Sequence, residues 1–169
     1  MRCLRLIAGL VLGVTMTSCS PSEQSTLSQP QTVTAPGPSL EPVSFYPGLL
    51  WNRTGREGEA PFEIKSSAGT NHILKLVDFT TGRDAIAVLV RGGQTLEISV
   101  PVGSYRMKWC SGSTWYGERH RFGPDESCST TRDLFRFSNT DTYVEGHTVT
   151  LYRVADGNMS TQKLAPSAF

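Results

Sequence analysis

The residues best equipped for chemistry lie in one stretch, Tyr105–Cys128, which reads YRMKWCSGSTWYGERHRFGPDESC. Glu118, Arg119, His120, Arg121, Asp125 and Glu126 are crowded there among two of the four cysteines and two of the three tryptophans. Carboxylates beside a histidine admit acid–base work, and a glycosidase needs two carboxyls facing each other over a sugar at ~5–9.5 Å. No positioned nucleophile or base motif accompanies these residues, so a hydrolase acting through Glu118 or Asp125 has only composition behind it. A solvent-exposed hairpin carrying interspersed charges accounts for the same residues, and no catalytic residue is assigned.

The aromatic residues of the stretch point toward binding. Flat rings flanked by arginine supply large contact area with directional polar groups, as sugar-stacking surfaces and protein hot spots do. This makes Trp115, Tyr116, Glu118, Arg119, His120 and Arg121 the candidate contact residues. The competing reading has Trp115 and Phe122 folding back to cover the end of the domain, with only the charged tips between them left for a partner.

Stepping outward, Tyr105–Cys110 must be a strand, with Tyr105, Met107 and Trp109 on one face and Arg106, Lys108 and Cys110 on the other. Ser111-Gly112-Ser113-Thr114 breaks the pattern, and Gly123-Pro124-Asp125 turns the chain back toward Cys128. The cysteine spacing is not CxxC, and His120 alone does not complete a tetrahedral metal set. His72 and His147 are scattered through strand-like segments, so no metal or other cofactor is expected.

The start of the chain sets the compartment. MRCLRLIAGLVLGVTMTSCS has Arg2 and Arg5 before an apolar run from Leu6 to Val14, the build of a secretory signal peptide too short for the ~20 residues of a spanning helix. Its end, Met16-Thr17-Ser18-Cys19, resembles the lipobox of bacterial lipoproteins, with Met16 in place of the usual aliphatic residue. That resemblance implies a signal peptide over 1–18, lipid on Cys19, and, with Ser20 next, an outer-membrane destination; ordinary cleavage and secretion is the other reading. Cys3 then leaves with the signal and Cys19 takes the lipid. Cys110 and Cys128 remain as a pair in an oxidising compartment, where a disulfide contributes ~3 kcal/mol. Because Cys110 is in phase with Lys108, that disulfide is expected at the sheet surface, shaping a loop more than filling a core.

Residues 19–44 are rich in Pro, Ser and Thr and contain no aromatic residue, which predicts a disordered tether. Phe45–Pro61 reads as transitional. From there, strand signals follow one another: Phe62–Lys65, Ile73–Asp78, Ala85–Val90, Thr95–Val100, Tyr105–Cys110, Asp133–Phe137, His147–Arg153 and Met159–Leu164. Thr95–Val100 alternates cleanly, and no window carries an apolar stripe at helical spacing. The fold class is all-β, a single antiparallel β-sandwich or small barrel of about six to eight strands over 45–164, with a tail at 165–169. Gly82, Gly93, Pro101, Gly103 and Tyr105 occupy the turn positions of a strand plan that resembles prealbumin-like and PEGA-like extracellular modules. The likeness implies a fold and no chemistry.

A net charge of +1 over 169 residues disfavours nucleic acid. The expectation is a lipid-anchored envelope protein with its domain in the periplasm or at the cell surface. It binds an envelope protein or glycan, without catalysis, through the loop closed by Cys110 and Cys128. Inhibition of a periplasmic or host hydrolase, in the manner of lysozyme inhibitors, and cell-wall glycan binding or hydrolysis remain alternatives.

Overall fold

Strand patterning decides the architecture, because every segment that alternates apolar and polar residues finds a sheet to bury one face against. A computed structural model describes residues 39–152, 157 and 159–169. The expected signal peptide, Cys19 and nearly all of the tether lie outside those residues. The described chain is all-β. The strands are β1 Gly48–Asn52, β2 Ala60–Lys65, β3 Asn71–Asp78, β4 Asp84–Val90, β5 Thr95–Val100, β6 Gly103–Gly112, β7 Ser127–Thr131, β8 Phe135–Thr140, β9 Tyr143–Glu145, β10 His147–Thr150 and β11 Thr161–Leu164.

Eight strands form a large sheet in the order β1-β4-β3-β6-β7-β11, with β8 and β9 branching from β6; β10-β2-β5 form a small one. The branch arises because β6 is ten residues long. Its Lys108–Ser111 half pairs with β7, while Gly103–Tyr105 pairs with β8. The two sheets enclose the main core, built from Phe62, Ile64, Leu74, Leu76, Ile86, Val88, Val90, Tyr105, Met107, Phe135, Phe137 and Val149. Full burial of each large side chain contributes about 1.5–3 kcal/mol. Phe137 meets Phe62 edge-on at 5.5 Å and Tyr105 at 5.9 Å. His147 Nε2 lies 2.6 Å from the Arg136 carbonyl and its ring packs against Phe137, fastening the small sheet to β8.

The sandwich expectation holds, with three refinements. The pair β10–β2 is parallel, in register from His147 opposite Phe62 to Thr150 opposite Lys65. Gly48–Asn52, within the segment read as transitional, is an edge strand on β4. And the packed chain extends past Phe45 and Leu164 at both ends. Val43, expected in the tether, donates its amide to the Trp115 carbonyl at 2.8 Å, while Phe169 packs against the outer face of the large sheet.

Candidate functional site: the loop closed by the disulfide

Cys110 on β6 and Cys128 on β7 are direct cross-strand neighbours and are joined in a disulfide, their Cα atoms 4.0 Å apart. The side chains point to the outer face of the large sheet, as the phase with Lys108 requires. That face is not open to water here. The disulfide sits with Ile73, Leu89, Trp115 and Phe122 in a second apolar cluster, with Phe45, Leu50, Leu164 and Phe169 packed around it. Cys110 is fully buried, so the disulfide fills a core as well as closing a loop, contrary to the surface position expected for it.

The loop makes its own roof. Trp115 and Phe122 are 6% and 2% exposed and meet edge to face at 5.3 Å, and Phe45 closes on Trp115 at 5.9 Å. Gly112 permits this closeness, since a Cβ there would overlap the Phe122 ring. Between the two buried rings the chain makes a tight excursion: Tyr116 N–H donates to the Arg121 carbonyl and Arg121 N–H to the Gly117 carbonyl, each at 2.7 Å. Arg121 takes φ 47°, a left-handed conformation that L residues seldom adopt, and this turns Phe122 back under Trp115. Its guanidinium is held in a fork by Glu126, Nε to Oε2 at 3.0 Å and Nη2 to Oε1 at 2.6 Å, and also donates to the Pro166 carbonyl.

The excursion between the two rings exposes its tip, Glu118, Arg119 and His120, while Ser113, Pro124 and Asp125 are exposed on either side of it. Glu118 Oε1 accepts the Trp51 indole N–H at 2.7 Å and lies 3.7 Å from Arg53 Nη2. The Arg53 guanidinium covers the Trp51 ring, 3.8 Å from its centroid. Arg119 and His120 have no side-chain partner among the described residues. Of the six candidate contact residues, then, Trp115 is core, Arg121 is committed to Glu126, Tyr116 is half-buried, and the other three stand together at the tip. Trp51 on β1 and Arg53 just beyond its end join them, and nothing in the sequence pattern signals this, since Trp51 precedes Glu118 by 67 residues.

No family model, curated protein or solved structure matches this chain.

The chemistry therefore has to be read from the side chains alone. The donor atoms of Cys110, Glu126 and Cys128 lie within 4.8 Å of one another, but both sulfurs are bonded together and Glu126 already accepts from Arg121. Glu118, a candidate hydrolytic carboxylate, is committed to Trp51. The arrangement at the tip, two unpartnered cationic or cationisable groups beside an arginine-capped indole, suits the capture of a polar partner. A separate cleft of about 810 Å³ lies between the sheets, lined by Trp109, Phe135, His147, Val149, Leu151 and Met159 among others, and contains none of the expected site residues.

Proposed function

We propose that this chain is an exported, lipid-anchored protein of the bacterial envelope whose β-sandwich is a non-enzymatic binding or adaptor module, with the tip of the disulfide-closed loop as its contact surface. The observation that carries the reading is the division of labour within the loop. Trp115, Phe122 and the disulfide form a rigid base, while Glu118, Arg119 and His120 are presented outward beside Trp51 and Arg53. A contact surface held in place before binding loses less conformational freedom on capture than a mobile one. The export part rests on the leader and on a disulfide of the kind that persists in oxidising compartments.

The test is a photo-crosslinking series in the native envelope with the reactive group at position 119 or 120, compared with one at Asp141, exposed in the turn between β8 and β9 beyond the opposite end of β6. A partner trapped from the tip positions and not from Asp141 supports the reading. Equal trapping from all three, or from none, removes it. Palmitate labelling that disappears in Cys19→Ala tests the anchor separately.

A further inference from the structure

The outer face of the large sheet changes character along β6. Near Cys110 it is apolar and roofed by the loop; toward Tyr105 it is cationic and open. Arg106 alternates with the inward Tyr105 and Met107 and stands opposite Val77, and Arg136 stands opposite Ser104 on β8. Both arginines are exposed, and neither has an ion-pair partner among the described residues. The Arg106 guanidinium lies 5.1 Å from the centroid of Phe79, an aromatic ring left 49% exposed. Among the described residues Lys108, next along the same face, donates to the Ala168 carbonyl and has no carboxylate within ion-pair distance; Lys75 does, in Asp84 at 2.8 Å.

The other side of the sandwich carries the opposite sign. On the outer face of the small sheet Glu63 and Glu97 are direct cross-strand partners, relieved only by Lys65 at 3.2 Å from Glu63. Arg106 and Arg136 and the Glu63–Glu97 pair thus lie on opposite outer faces of the sandwich, and Glu145, opposite Ser138 of β8, accepts from the Ser138 hydroxyl. Neither the cleft of about 810 Å³ between the sheets nor the smaller one lined by Phe62, Glu97 and Gly146 is lined by Phe79, Arg106, Lys108 or Arg136.

We infer that this face, centred on Arg106, Arg136 and Phe79, docks the domain onto an anionic phospholipid surface. Guanidinium groups pair in bidentate fashion with headgroup phosphates, and unpaired arginines near an anionic leaflet are drawn to it over about a Debye length. A half-exposed phenylalanine beside them enters the boundary between headgroups and acyl chains. The contact is independent of any lipid on Cys19 and leaves the loop tip, at the other end of the face, free for its own partner.

The experiment is flotation of the processed chain, residues 20–169, so that neither leader nor acyl chain contributes, with vesicles of phosphatidylcholine alone and of phosphatidylcholine mixed with phosphatidylglycerol. Retention is expected only on the mixed vesicles and should fall as salt is raised. Arg106→Gln and Arg136→Gln should each lower it about fivefold, while Glu97→Gln on the acidic face leaves it unchanged. Equal retention on neutral vesicles, no retention at all, or retention indifferent to both arginines overturns the inference. So does capture of an acidic envelope protein through Arg106 and Arg136 without vesicle binding. Both arginines are exposed on strands, so their variants should melt with the parent; if one does not, the other and the salt titration still decide.

Discussion

Trp51 donates its indole N–H to Glu118 at 2.7 Å, tying the edge strand β1 to the tip of a loop 67 residues further along the chain. This bond bears on whether the tip is a fixed surface or a mobile one, because the backbone there is otherwise held, among the described residues, by three local hydrogen bonds: Tyr116 N–H to the Arg121 carbonyl, Arg121 N–H to the Gly117 carbonyl and Gly123 N–H to the His120 carbonyl. Trp51→Phe keeps the ring and removes the donor. A hydrogen bond to a charged group contributes about 1.5–3 kcal/mol when protected, and this one is exposed, so stability should fall by less than about 1 kcal/mol. The effect should appear locally, as faster hydrogen exchange at the Arg121 amide with little change in melting temperature. Unchanged exchange would mean that Glu118 does not order the tip.

The base and tip of the loop should separate cleanly in a stability measurement. Phe122→Ala opens a cavity beside the disulfide and should cost about 3–5 kcal/mol, whereas Arg119→Ala, exposed and unpartnered, should stay within about 0.5 kcal/mol. Urea unfolding of the two variants checks this. Similar losses from both would remove the distinction between a packed base and a free tip.

That distinction also marks where the sequence stops being informative. The alternation in Thr95–Val100 and in Tyr105–Cys110 made those strands legible, because each buries one face against the main core. Ile86, Val88 and Val90 were legible for the same reason, but Leu89, between them, packs on the opposite side of the sheet. A strand buried on both faces reads as a continuous apolar run, and no local pattern says what covers its second face. Cys110 shows this most directly: its phase with Lys108 correctly puts it on the outer face, yet burial comes from Trp115 and Phe122, whose inward packing depends on Gly112 and on the backbone of Arg121. The parallel pairing of β10 with β2 and the contact of Trp51 with Glu118 are long-range choices that no periodicity records.

Arg121 carries two opposed demands at one position. Its φ of 47° favours glycine, while its guanidinium pairs with Glu126, whose side chain is only 7% exposed. Arg121→Ala loses the ion pair and keeps a Cβ in the left-handed region; Arg121→Gly loses the same pair and relieves the backbone. The glycine variant should therefore be the more stable of the two by about 1 kcal/mol, and both should be weaker than the parent because a nearly buried Glu126 is left without its cation. Thermal melts of the three proteins give the order. An alanine variant as stable as the glycine one would mean that the turn rearranges.

His72 sets the response to acid. It lies on the inner face of β3, in register with Val90 and Ser111, and is 4% exposed with neither ring nitrogen hydrogen-bonded. Burial lowers its pKa from the model-compound value of 6.5 to about 4, because the charged ring would lose its hydration with nothing in return. Between those two values the unfolded chain binds a proton that the folded chain refuses. Stability is thus fully present above pH 6.5, declines as the pH falls toward 4, and loses up to about 3 kcal/mol over that window. The Glu63 and Asp78 carboxyls are held below their usual range, chiefly by the Thr148 hydroxyl and the Thr81 amide respectively, so their destabilising protonation belongs to more acidic solutions. Urea titrations from pH 7 to pH 4.5 should show a falling midpoint for the parent and a much flatter one for His72→Leu, which fills the same space without a titrating ring. Parallel slopes in the two proteins would mean that the acid response arises elsewhere.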